Sequence, residues 1–185
     1  MKDSATEDRP AGLSALYGGF SIAAGVVAVA LGCGVLAGWL FHVPLLKSVL
    51  PDLVSMKPNT ALAFLFAGLS LALLSNVGGF RSVATGVAGA TPSFLGPRSG
   101  RKRLGQLLGL LVATIGGLTL CEYILGWDLG IDELLFKDDP NAAATLIPGR
   151  MAPSTAVSFL MLGLALIWIE WEPRRGLRPA EALAV

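Results

Sequence analysis

Glu122 stands about one helical turn inside the end of a long apolar run, between Cys121 and Tyr123. A carboxylate set in hydrocarbon costs about 3 kcal/mol, so such a residue marks a functional position and needs a partner. Arg150 and Lys57, each beside a Met-x-Pro motif, are the two candidate partners. The competing reading is a carboxylate that reaches the membrane interface and serves structure alone. Cys33 and Cys121 also lie in apolar runs, where thiols more often pack than exchange electrons. His42 is the sole histidine, so a bis-histidine haem site is excluded, and only Met56 or Met151 offers a second haem ligand. The sequence holds no Walker loop, no paired-acid hydrolase pattern, no Cys/His metal cluster and no nucleophilic triad. The expectation is therefore a non-enzyme with no catalytic residue, no metal, no cofactor and no nucleic-acid partner.

These side chains must be held by the apolar runs around them. The chain has 185 residues, 54% hydrophobic and 15% charged, with a mean hydropathy of +0.67. Soluble domains carry about a quarter charged residues. Here the apolar residues gather into runs at 14–41, 60–80, 104–127 and 154–171. Each is near the roughly 20 residues that span hydrocarbon, where an unpaired backbone forces a helix. The first run is too long for a cleavable signal peptide, lacks a convincing cleavage site and shows only a faint lipoprotein box at 30–33. The fold expected is an all-α membrane protein of four transmembrane helices.

Charge then sets orientation. Of the fourteen basic residues, ten fall in the segment before the first run, the segment between the second and third, and the segment after the fourth. The other two loops hold Lys47, Lys57, Lys137 and Arg150 among Asp52, Asp128, Asp132, Glu133, Asp138 and Asp139. Basic residues stay on the cytoplasmic side, so both termini are expected inside and these two loops outside, in a multi-pass protein.

The chain also repeats itself. Residues 56–71 align without gaps on 151–166, with nine of sixteen positions identical, including Met-x-Pro-x-Thr-Ala and the following Phe and Gly. Upstream, Cys33, Gly38 and Trp39 match Cys121, Gly126 and Trp127 at one common offset. Two helices separate the copies, so the repeats have the same orientation. The organisation expected is a cytoplasmic tail 1–13, a two-helix repeat 14–80, a basic flexible loop 81–103, a second repeat 104–171 and a tail 172–185.

Each unit reads as a helix, a Gly-Trp exit, an outer loop and a Met-x-Pro-[Asn/Ser]-Thr-Ala helix start. Pro58 and Pro153 suit a first turn, and Asn59 or Thr60 and Ser154 or Thr155 are its candidate caps. Trp39, Trp127, Trp168 and Trp171 sit where interfacial anchors belong. The loop 43–54 carries a helix-spaced apolar stripe, and Leu134, Leu135 and Phe136 form a shorter one, so both are expected in the interface or folded back over the bundle. Glycines at 18, 25 and 32, and at 105, 109, 116 and 117, allow close helix approach, within the bundle rather than between copies.

The order Gly-Trp, Pro-Leu-Leu-Lys-Ser-Val-Leu-Pro, Met-Lys-Pro-Asn-Thr-Ala-Leu, Glu-Tyr-Ile-Leu-Gly-Trp-Asp-Leu-Gly-Ile-Asp-Glu-Leu-Leu-Phe and Pro-Gly-Arg-Met-Ala-Pro-Ser-Thr-Ala resembles the N-terminal membrane region of bacterial sensor histidine kinases and diguanylate cyclases. The resemblance runs over residues 14–171. It implies a four-helix sensor module in the bacterial inner membrane. No phosphoacceptor, ATP-binding or cyclase signature follows the fourth run in this sequence, so neither activity carries over. The expected signal- or ligand-binding surface is Lys57, Asn59, Thr60, Asp128, Asp132, Arg150, Ser154 and Thr155. The expected partners are the lipid bilayer and other transmembrane helices, in a homodimer or a larger membrane complex. The second reading, from another class, is a structural subunit of a respiratory or photosynthetic assembly.

Overall fold

A computed structural model describes residues 11–48, 55–75, 98–138 and 147–169. Among these the chain is all-helical: α1 Ala11–Leu40, α2 Pro44–Lys47, α3 Pro58–Leu74, α4 Arg98–Leu125 and α5 Pro153–Trp168. Two stretches, Gly19–Leu40 and Gly100–Leu125, are long and apolar enough to cross a membrane. Only 17% and 33% of their most apolar windows are buried, whereas the apolar core helix of a soluble protein would hide most of its surface. Both α3 and α5 begin with Pro, whose absent N–H is no loss in a first turn. Their N-cap residues are Lys57 and Ala152, and neither end has a side-chain cap. The expected capping by Asn59, Thr60, Ser154 or Thr155 is therefore not made. Those residues lie inside the first turn, and the Asn59 amide is drawn to a loop carbonyl instead.

The helices pack as α1 on α3, α3 on α4 and α4 on α5, with α3 also touching α5. Small residues decide the two closest crossings. A Cβ on Gly32 would stand 2.6 Å from Ala61 O and 2.8 Å from Leu65 N, so α1 and α3 meet backbone to backbone. A Cβ on Gly116 would stand 2.5 Å from Ala156 O and 2.7 Å from Leu160 N, which sets α4 against α5. Buried Ala63, Ala67, Val112, Ala156, Phe159 and Leu166 fill the centre, where Phe64 and Phe159 meet edge to face at 5.1 Å. Ser70 donates to Gly105 O at 2.7 Å, a buried polar tie between α3 and α4.

At the end where α1 turns into α2, the chain doubles back. His42 takes a positive φ of 57°, and the Val43 N–H bonds Gly38 O at 2.9 Å. Leu46 then packs over Gly38, where an added Cβ would meet Leu46 Cβ at 2.6 Å. The folding back expected for this stripe is seen in α2, while Leu45 stays 72% exposed. The second stripe is not helical: Phe136 packs on Trp39 with centroids 5.9 Å apart, while Leu134 and Leu135 are exposed. The loop expected over 81–103 is helical from Arg98 on, as the first turns of α4, and α1 begins at Ala11 inside the tail expected over 1–13. Trp171, Asp52, Asp139, the rest of the first stripe over 49–54, and residues 1–10, 76–97, 139–146 and 170–185 lie outside the described residues.

Candidate functional site

The charged residues of the loops converge on the end of the bundle where α3 and α5 start and α4 finishes. Arg150, two residues before the α5 N-cap, is its centre. Its Nε donates to Asp132 Oδ2 at 2.5 Å, and its Nη2 lies 3.4 Å from Glu122 Oε1. Glu122 Oε1 also accepts the Leu129 N–H at 2.9 Å, which ties the segment after α4 back to its last turns. The Arg150 guanidinium carbon stands 5.5 Å from the Tyr123 ring centre. Burial opposes the Arg150 charge, but the bond to Asp132 and the fields of Asp132, Glu122 and Tyr123 outweigh it, so its pKa lies above the ordinary guanidinium value.

A second pair sits beside the first. Lys57 Nζ donates to Asp138 Oδ2, which also accepts the Gly149 N–H at 3.0 Å. Gly149 has a φ of +73°, and a Cβ there would stand 2.7 Å from Asp132 O, so this turn requires glycine. The Asn59 amide donates to Ile131 O at 2.9 Å. Lys57, Glu122, Asp132, Asp138 and Arg150 are each at most 9% exposed. Charges so far from water persist only when paired and hydrogen-bonded.

The start of each Met-x-Pro motif is held the same way. Trp39 Nε1 donates to Met56 O at 2.9 Å, and Tyr123 OH donates to Met151 O at 3.0 Å. Lys47 Nζ lies 4.2 Å over the Trp39 ring. Trp39 is thus a buried anchor of the α3 start. Trp127 lies beyond α4 and is 58% exposed, and it makes no equivalent bond among those described. Contacts therefore pair Trp39 with Tyr123, four residues before the Trp127 that sequence identity aligns to it.

Of the eight surface residues expected from the sequence, Lys57, Asn59, Asp132 and Arg150 come together here. The partner choice left open for Glu122 falls to Arg150, and Lys57 takes Asp138 instead. Asp128 is exposed and accepts the Gly130 N–H at 3.1 Å within its own turn. Thr60 is buried in the first turn of α3, Ser154 is exposed and Thr155 is half-buried. Sequence reasoning missed Asp138, Gly149 and the hydroxyl of Tyr123. An unmatched Lys57 was the available signal for Asp138. Cys33 and Cys121 are unpaired thiols. Trp168 ends α5 and is half-buried.

Hydroxyls elsewhere, on Ser70, Ser75, Thr114 and Ser158, donate to backbone carbonyls. What the cluster offers chemically is a compact, buried set of paired charges joining three helix ends to one loop. Comparison with protein-family models, with curated proteins and with solved structures returned no match.

Proposed function

We propose that this chain is a non-catalytic, membrane-embedded sensor-type module that acts through partners. The observation that carries the reading is the buried Arg150–Asp132–Glu122 and Lys57–Asp138 cluster. It couples a loop to the ends of α3, α4 and α5, so a signal that moves the loop must disturb helix packing. Electrostatic pairs in a poorly hydrated site change state abruptly, because half-broken pairs leave buried charge.

In this reading the protein has four transmembrane helices in two tandem parallel repeats, α1 with α3 and α4 with α5. The support is the sequence identity of 56–71 with 151–166, together with contacts in matching register. Gly25, Gly32 and Trp39 face the same α3 positions as Gly109, Gly116 and Tyr123 face in α5. The first set precedes the second by 84 residues, not the 88 that align Cys33 with Cys121. Helix α3 has 17 residues and α5 has 16, about 25 Å at 1.5 Å per residue, close to the hydrocarbon thickness of about 30 Å. On this reading both termini are cytoplasmic, the charged cluster lies outside and the membrane is a bacterial inner membrane; the distribution of basic residues supports the orientation.

A second reading has its own observation. Helix α1 makes its extended contacts with α3 and α2, and leaves Phe20, Val27 and Leu31 exposed. That face suits a structural or assembly subunit packed against other helices in a respiratory or photosynthetic complex. Purification in mild detergent with mass spectrometry of the product separates the two. A homodimer or monomer favours the sensor module, and stoichiometric recovery with a multi-subunit complex overturns it.

A further inference from the structure

Four buried side-chain polar atoms lack a hydrogen-bond partner among the described residues, and three are oxygens near the loop end of α4: Thr119 Oγ1, Glu122 Oε2 and Asp132 Oδ1. Their side chains are at least nine-tenths buried, at 0%, 1% and 4% exposure. Thr119 and Glu122 are three residues apart on one helix, which sets their Cβ atoms about 5–6 Å apart on one face. Asp132 and Glu122 meet on the Arg150 guanidinium, whose Nε lies 2.5 Å from Asp132 Oδ2 and whose Nη2 lies 3.4 Å from Glu122 Oε1. Arg150 engages only the other oxygen of each acid, Glu122 Oε1 and Asp132 Oδ2.

Two facts then coincide. The triad of Arg150, Glu122 and Asp132 sums formally to one negative charge, held out of water, where an uncompensated charge is costly. Two of the three unpartnered oxygens belong to that same charge, the third lies three residues from Glu122 along α4, and buried polar atoms are ordinarily satisfied. A hydrogen bond from one neighbouring donor would satisfy an oxygen without balancing the charge. An occupant that is both small and singly positive does both.

We propose that Thr119 Oγ1, Glu122 Oε2 and Asp132 Oδ1 bind a small monovalent cation of the alkali class, for which sodium is the probe. Hydroxyl and carboxylate oxygens are hard ligands and suit a hard cation. The adjacent Arg150 charge opposes a divalent ion, and the two carboxylates on it leave one negative charge to balance, not two. The remaining ligand positions belong to water or backbone carbonyls. On the sensor reading, cation occupancy of this site is the quantity reported, since filling it locks the loop segment that carries Asp132 onto α4. The binding itself stands without that reading.

The test is thermal unfolding of the full chain in detergent or nanodiscs, at fixed pH, with sodium chloride replaced by choline chloride at constant ionic strength. The expected result is a saturable rise in Tm with sodium that choline does not give. Thr119→Val keeps the side-chain shape, removes the hydroxyl and weakens the sodium midpoint at least about tenfold, the scale seen when a metal site loses support. Glu122→Gln and Asp132→Asn abolish the response; if neither accumulates as folded protein, Thr119→Val decides. Equal curves in sodium and choline overturn the site. So does a sodium response that Thr119→Val leaves unchanged, or a dependence on pH alone, which would mean a shared proton. Sodium binding by a chain recovered only inside a larger complex would leave the site standing and remove the sensor reading, so the two failures are distinct.

Discussion

At the scale of single residues, Arg150 holds the most. It serves two buried carboxylates, so its removal leaves both without a cation. Arg150→Ala is expected to destabilise the fold by about 3–5 kcal/mol, the cost of breaking a buried pair from one side. Chemical denaturation in mixed micelles measures it, and an unchanged midpoint would remove the cluster from the account. Glu122→Gln keeps the Leu129 N–H acceptor and loses the charge, so its effect is smaller and non-additive with Arg150→Ala. The pH behaviour follows from the sign of the Arg150 shift. Its folded pKa lies above the unfolded one, so its stabilisation is fully present below the ordinary guanidinium range and is lost only at pH values above it. Any loss of stability between pH 6 and 9 must then come from another group. Tyr123→Phe removes one hydrogen bond to Met151 O and is expected to cost about 0.5–1.5 kcal/mol.

At the scale of elements, glycine sets how near the helices come. Gly32 and Gly116 occupy crossings where any side chain meets the backbone of the partner helix rather than a movable side-chain tip. Backbone cannot step aside without shifting the whole helix, so overpacking there costs about 1–3 kcal/mol or more. Gly32→Val and Gly116→Val should each lower Tm, whereas Gly34→Val and Gly100→Val, where no atom lies within 4 Å of the added Cβ, should not. Equal melting of all four variants would show that close approach is not what holds these pairs. In the proposed two-repeat reading, Gly38 and Glu122 hold matching positions of α1 and α4 and mark where the halves diverge. Over Gly38 lies Leu46 of α2, while Glu122 opens a charged network. The end of α1 is closed by apolar packing and the end of α4 by ion pairs.

At the scale of the whole molecule, α1 lies at one edge and α3 at the centre, in contact with α1, α4 and α5. Phe20, Val27, Leu31, Leu107, Leu110 and Ile124 are large apolar side chains left exposed on α1 and α4, the two helices long and apolar enough to cross a membrane. Reporter fusions at the N-terminus and the C-terminus should both report a cytoplasmic location, following the basic segments. A cysteine at Asp128, which is exposed on the loop carrying Asp132, should react with an impermeant maleimide applied from outside. Labelling only after the membrane is breached would invert the orientation.

The sequence by itself determined the helical class, the two long apolar helices and the proline starts of α3 and α5. Those features are local: apolar run length, proline at a helix start and residue type are properties of short segments. It also left Arg150 as one of two candidates for Glu122. Tertiary structure alone decided that Arg150 takes Glu122 and Asp132 while Lys57 takes Asp138, because ion pairing depends on distances across loops that no spacing fixes. It also decided the contact register. Identity of residue type aligns Trp39 with Trp127, but helix crossings select for small size, and the glycine contacts shift the match by one turn to Tyr123. The unpartnered oxygens of Glu122 and Asp132 were invisible in one dimension for the same reason: the two acids meet at Arg150 only once α4 ends and the loop folds back over it.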